Sequence, residues 1–111
     1  MKQTFVFAAL QLYGNGLTGF IPMELGSLKK LNVLALQHND LNGAILASLG
    51  EMTSLTRLDL SFNSLFGPIP TTLTNLPHLV VLDVRNSSLS GNTPQGDSFL
   101  MHCTPKINII T

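Results

Sequence analysis

The sequence predicts an α/β fold: a right-handed solenoid with one short parallel sheet on its concave face and 3-10 or turn segments on its convex face. Three observations carry this. A phrase of the form Leu-x-Leu-x-x-Asn-x-Leu-x-Gly-x-Ile-Pro recurs four times at a constant interval, and a fixed period in this range marks a solenoid. Its glycine returns at Gly19, Gly43, Gly67 and Gly91, and the leucine two before it at Leu17, Leu41, Leu65 and Leu89, each a step of 24. The chain of 111 residues is 44% hydrophobic and carries no net charge, with only 11% charged residues, which suits one packed, ordered domain.

Each coil opens with an alternating pair: Leu10-x-Leu12, Leu34-x-Leu36, Leu58-x-Leu60 and Leu82-x-Val84. Period-2 alternation predicts a half-buried strand. One strand per coil gives a parallel sheet with strands about 4.8 Å apart. Asn15, Asn39, Asn63 and, in the fourth copy, Ser87 follow where the chain must turn. An amide side chain there can satisfy backbone groups that the turn leaves unpaired, and its repetition predicts a hydrogen-bonded ladder.

The glycine after each asparagine allows a tight path past the neighbouring coil. Ile21-Pro22, Ile69-Pro70 and Thr93-Pro94 then give an extended step, because proline pushes its predecessor toward β or polyproline geometry. Leu25, Leu49 and Leu73, then Leu28, Met52 and Leu76, then Leu31, Leu55 and Leu79 lead the chain back to the core. A short 3-10 turn would accomplish this. The organisation expected is an N-terminal extension at 1–6, four repeats at 7–94 and a non-repeat tail at 95–111. In the fourth copy Thr93 replaces isoleucine and Asp97 stands where leucine belongs. The tail ends in Ile107-Asn108-Ile109-Ile110, read either as loosely attached or as a substitute cap.

Composition excludes several function classes. The charge balance offers no basic footprint for nucleic acid. No run approaches the roughly 18 apolar residues of a membrane helix. The apolar run near the N-terminus is about six residues, short of the roughly 7–15 of a secretory signal, and its end overlaps repeat columns filled by Phe7, Leu10 and Leu12. Cys103 is the sole cysteine, so no disulfide framework forms within the chain. With His102 it lacks the further ligands of a zinc site; no metal and no cofactor are expected.

Asn15-Gly-Leu-Thr-Gly-Phe-Ile-Pro and Asn63-Ser-Leu-Phe-Gly-Pro-Ile-Pro closely resemble the plant-type leucine-rich repeat. The stretches from Leu25 to Asn39 and from Leu58 to Pro70 resemble the ectodomains of plant leucine-rich-repeat receptor-like kinases. The resemblance covers about 7–94. It implies a secreted or cell-surface recognition module that binds a protein or peptide ligand, a wall component or a co-receptor. The paired cysteine caps, membrane helix and kinase of that family are missing from this sequence, so a fragment, a truncated gene product or a divergent paralogue is expected. One alternative is a stand-alone wall protein of the polygalacturonase-inhibitor type, another a truncated product without independent activity, and a remote one a hydrolase. Lacking polar capping units, the array is expected to associate end to end.

Side chains between the strand leucines point outward on the concave face. Equivalent positions of successive repeats line up there as columns: Ala9, Val33, Arg57, Val81; Gln11, Ala35, Asp59, Asp83; Tyr13, Gln37, Ser61, Arg85; and Gly14, His38, Phe62, Asn86. Tyr13, Gln37, His38, Arg57, Asp59, Phe62, Asp83 and Arg85 are the candidate partner contacts, tyrosine and arginine being favoured at the centres of interfaces. The bland reading of Arg57 with Asp59, and of Asp83 with Arg85, is mutual solvation of charges. His38, Ser61 and Asp59 fall on neighbouring strands, but a triad also needs an oxyanion hole and a pocket, which an open sheet does not supply. Asn86-Ser87-Ser88 is an N-glycosylation acceptor. Lys29 and Lys30 belong to a solvated outer edge.

Overall fold

A computed structural model describes residues 7–89 and 107–111. The expected concave sheet is present, formed by β1 (Ala9–Gln11), β3 (Val33–Ala35), β5 (Arg57–Asp59) and β7 (Val81–Asp83). All neighbours are parallel, with Leu10, Leu34, Leu58 and Leu82 in register across the strands. The second leucine of each pair prolongs the ladder: the amides of Leu12, Leu36 and Leu60 donate to the carbonyls of Ala35, Asp59 and Asp83.

A second parallel sheet lies beside the first. It comprises β2 (Thr18–Phe20), β4 (Asp40–Ala44), β6 (Ser64–Gly67) and β8 (Ser88–Leu89). The sequence pattern suggested only a turn past the neighbouring coil at these residues. They pair because Gly19, Gly43 and Gly67 hold φ of 87°, 85° and 85°, a conformation that glycine adopts without penalty. The following step is extended at Pro22 and Pro70, with ψ of 133° and 138°, and Leu46 does the same without proline at 141°. One short turn of helix then faces outward in each coil: 3-10 at Met23–Ser27 and Ala47–Glu51, α at Thr71–Thr74. These turns touch. A Cβ at Gly26 would lie 2.4 Å from the backbone oxygen of Ser48, so a side chain there would push two coils apart.

Between the sheets and the outer turns runs one apolar core. Leu34, Leu49, Met52, Leu55, Leu58, Leu60, Leu65, Leu73 and Leu82 are completely buried, and each such residue contributes roughly 1.5–3 kcal/mol. Leu10, Leu25 and Leu31 are only partly buried, because no described coil packs against the first one.

The end of the tail belongs to the fold. Asn108–Ile110 forms β9, which pairs parallel with β7 through Val81↔Asn108, Leu82↔Ile109 and Asp83↔Ile110. Ile107 is buried in the core. These residues add one strand to the end of the concave sheet. They continue the sheet out of step with the repeat, which would set Pro105, not Asn108, beside Val81. Gly91, Thr93, Pro94, Asp97, His102 and Cys103, and the N-terminal run before Phe7, lie outside the described residues.

Candidate functional site: the concave face

The asparagine ladder holds the strand ends that carry the face. The Asn39 Oδ1 accepts from the amides of Asn15 and Leu17 at 3.0 and 2.9 Å. Its Nδ2 donates to the carbonyls of Leu12, Leu36 and Gln37. Asn63 repeats the arrangement one coil on, accepting from Leu41 and donating to Leu36, Leu60 and Ser61. Ser87 makes a single bond, to the Asn63 carbonyl, as its shorter side chain allows. Asn15 is exposed, and its side-chain amide donates to the carbonyls of Leu12 and Tyr13. A second ladder, not anticipated from the sequence, uses Asn32 and Thr56. Asn32 accepts from Ala8 through its side chain and donates to Ser54, and its carbonyl receives the Thr56 hydroxyl. The available signal was that Asn32 and Thr56 hold the same place in successive repeats.

The eight candidate contacts differ in exposure. Tyr13 and Phe62 are 53% and 38% exposed, the side chains of Arg57 and Arg85 are about half exposed, and His38 is exposed. Asp59 and Asp83 are buried, at 6% and 1%. They lie directly opposite each other on adjacent strands. Their oxygens are engaged inside the protein: Asp59 Oδ1 accepts from the Ser61 amide and hydroxyl at 3.1 and 2.7 Å. Asp83 accepts from the Arg85 amide, Nε and Nη2 at 3.2, 3.0 and 2.8 Å. These two residues orient their neighbours, and the arginines and rings present themselves outward. Gln37 is half-buried, and its Oε1 is buried without a hydrogen-bond partner among the described residues.

Burial pushes the Asp83 carboxyl upward, but the hydrogen bonds from the Arg85 guanidinium and amide outweigh it. With the charges of Arg85 and Arg57 they hold the group below its usual 3.8. The reciprocal hydrogen bond and the Asp83 charge raise the Arg85 guanidinium. Arg57 lies 3.8 Å from Asp59, a looser contact that leaves its guanidinium freer.

On the same face, the His38 and Phe62 rings stack with centroids 4.3 Å apart and planes 10° apart. The guanidinium carbon of Arg85 stands 5.9 Å from the Phe62 centroid. The sequence placed His38 and Phe62 in one column; their stacking is a finding of the structure. Ser61 gives its hydroxyl to Asp59 and His38 lies against Phe62, so the geometry does not assemble the three residues of the imagined triad. Asn86 is exposed, with φ of 57°. Lys29 bridges the outer edge to Glu51, 2.9 Å from its carbonyl and 3.7 Å from its carboxylate. Among the described residues no three His, Cys, Asp or Glu side chains gather as metal ligands, and no helix is long and apolar enough to cross a membrane.

The pattern of the Leucine Rich Repeat family matches residues 54–76. No curated protein matches the chain. Among solved structures, it is similar to the Arabidopsis receptor kinase HAESA in complex with the peptide hormone IDA and the co-receptor SERK1. The identity is 39% and the TM-score 0.70, over 74% of this chain and 14% of that one. It is similar to the ectodomain of the receptor kinase SOBIR1 from Arabidopsis thaliana, with 31% identity and a TM-score of 0.77 over 93% of this chain and 55% of that one. It is also similar to a plant ice-binding protein, with 34% identity and a TM-score of 0.77 over 93% and 33% of the two chains. The chain thus spans well under two thirds of each.

Proposed function

This chain is a plant-type leucine-rich-repeat protein, and on that basis we propose that its concave face is a non-catalytic recognition surface for a protein or peptide, in the setting of a cell-surface ectodomain. One observation carries the reading. Tyr13, His38, Arg57, Phe62 and Arg85 stand exposed on a rigid sheet, and the core needs none of them. Arg85 is fixed by Asp83 before any partner arrives, so less side-chain freedom is lost on binding. The peptide-hormone complex of the similar receptor kinase HAESA supports a peptide as the partner and a co-receptor as a further one.

Selection of a displayed peptide library on the full chain tests this. Enriched peptides should lose about tenfold or more in affinity when Phe62→Ala or Arg57→Ala is introduced, in line with interface anchors, and none when Thr71→Ala is made on the outer side. Binding insensitive to the concave substitutions, or no enrichment at all, overturns the reading.

A second contact surface is proposed at the first coil. Leu12, Leu17 and Leu28 are 37%, 36% and 38% exposed, whereas their equivalents Leu36, Leu41 and Met52 are 3%, 5% and 0% exposed. Among the described residues no strand covers the outer edge of β1 at this apolar end, and open edges recruit further chains. A second copy of the chain is the occupant that supplies complementary coils.

A further inference from the structure

We propose that the ring face of His38 turned toward Gly14 is a stacking subsite for an aromatic side chain of the peptide partner. This rests on the concave-face reading and names the partner's chemistry at one position. Gly14, His38, Phe62 and Asn86 all hold a left-handed φ, of 69°, 58°, 57° and 57°. The amides of the first three make the same bond in successive coils: Gly14 to the Gln37 carbonyl, His38 to that of Ser61 and Phe62 to that of Arg85, at 3.1, 3.0 and 2.8 Å. Backbones matched in φ and amide bonding, one coil apart, project their side chains in the same direction at the strand spacing. That spacing suits stacked rings, and His38 and Phe62 occupy it at 4.3 Å.

The column stops one rung short. At Gly14 a Cβ would meet nothing within 4 Å among the described residues, so one face of the His38 imidazole has no ring against it. Phe62 covers the other face, and Arg85 stands beyond Phe62. Tyr13, 53% exposed, precedes the open rung in the chain. A planar guest there would extend a column that the fold already aligns. The left-handed backbone at Phe62 is unusual for a bulky side chain, and the amide hydrogen bond it has in common with Gly14 and His38 holds it there.

The sequence contains no tryptophan, so the indole emission of N-acetyltryptophanamide can be followed without protein background. Titrated into the full chain, this probe should shift the His38 ring resonances upfield. It should bind about three- to tenfold more tightly than N-acetylleucinamide, the range of an aromatic pair. His38→Asn keeps a residue that tolerates positive φ and should abolish the preference. Gly14→Phe should fill the rung from within, shift the His38 resonances without any probe and block the probe. Equal binding of the two amides overturns the subsite, as does an indole preference that survives His38→Asn. Selected peptides that need Arg57 but ignore His38→Asn would also overturn it while the recognition function stands. Indole stacking on His38, with no peptide enriched on the concave face, would have the opposite meaning.

Discussion

The imidazole of His38 lies parallel to the phenyl ring of Phe62, 4.3 Å between centroids and 10° between planes, although the two belong to successive coils and are distant in the chain. Both backbones sit at positive φ. The stack should therefore contribute to stability while each residue alone is strained. A double-mutant cycle with His38→Gly and Phe62→Gly should give a coupling of about 0.5–1.5 kcal/mol in chemical denaturation. Phe62→Gly alone should change stability by no more than about 1 kcal/mol, because release of backbone strain offsets the lost contact. A zero coupling would show that the rings merely lie side by side.

Asp83 links stability to pH. Its carboxyl is held below the usual 3.8, so its ionised form is favoured by folding. That contribution is complete above the unfolded value and is lost as pH falls through the lower folded value. Stability should be flat in this group above about pH 5 and decline in acid. Arg85→Gln removes the guanidinium, raises the Asp83 carboxyl toward its unfolded value and should shrink this group's share of the acid decline. Denaturation midpoints across the acid range, with the Asp83 carboxyl followed by carbon NMR, read both effects. An unchanged Asp83 titration in Arg85→Gln would contradict the assignment.

Asn39 and Asn15 occupy equivalent positions but do unequal work. Asn39→Ala leaves two amides and three carbonyls without their side-chain partner. It should cost about 2–4 kcal/mol, since buried polar groups go unsatisfied. Asn15→Ala removes two bonds at an exposed site and should cost under about 1 kcal/mol. Equal losses of urea stability would mean that the ladder does not strengthen inward from the first coil.

The apolar first coil predicts association. Light scattering of the full chain should show mass rising with concentration, and Leu12→Lys, placed on a 37% exposed side chain, should suppress it while the melt remains cooperative. A monomer at every concentration would remove the proposed self-contact.

Much of the fold was legible in the repeat because the environment of each position returns with it. Leu34, Leu58 and Leu82 fall in the core for the same reason three times over, and Asn39 and Asn63 make nearly the same bonds. The tail was harder to read. Ile107-Asn108-Ile109 alternates as a strand should, but Asn108 and not Pro105 pairs with Val81, and a search tuned to the strict period passes over it. The second sheet was hidden for another reason: Gly19, Gly43 and Gly67 read as turn residues, and their positive φ serves strand pairing across coils instead.

The candidate site divides along the same line. By itself the sequence determined which side chains share a column and a face, since strand geometry fixes the direction of each Cβ. Tertiary structure alone decided which of them reach the surface. Asp59 and Asp83 belong to the outward column yet are buried, with their carboxylates turned to Ser61 and Arg85. His38 and Phe62 meet because two left-handed backbones, one coil apart, aim their rings in parallel. Such contacts join residues distant in the chain, and only the stacking of coils brings them together.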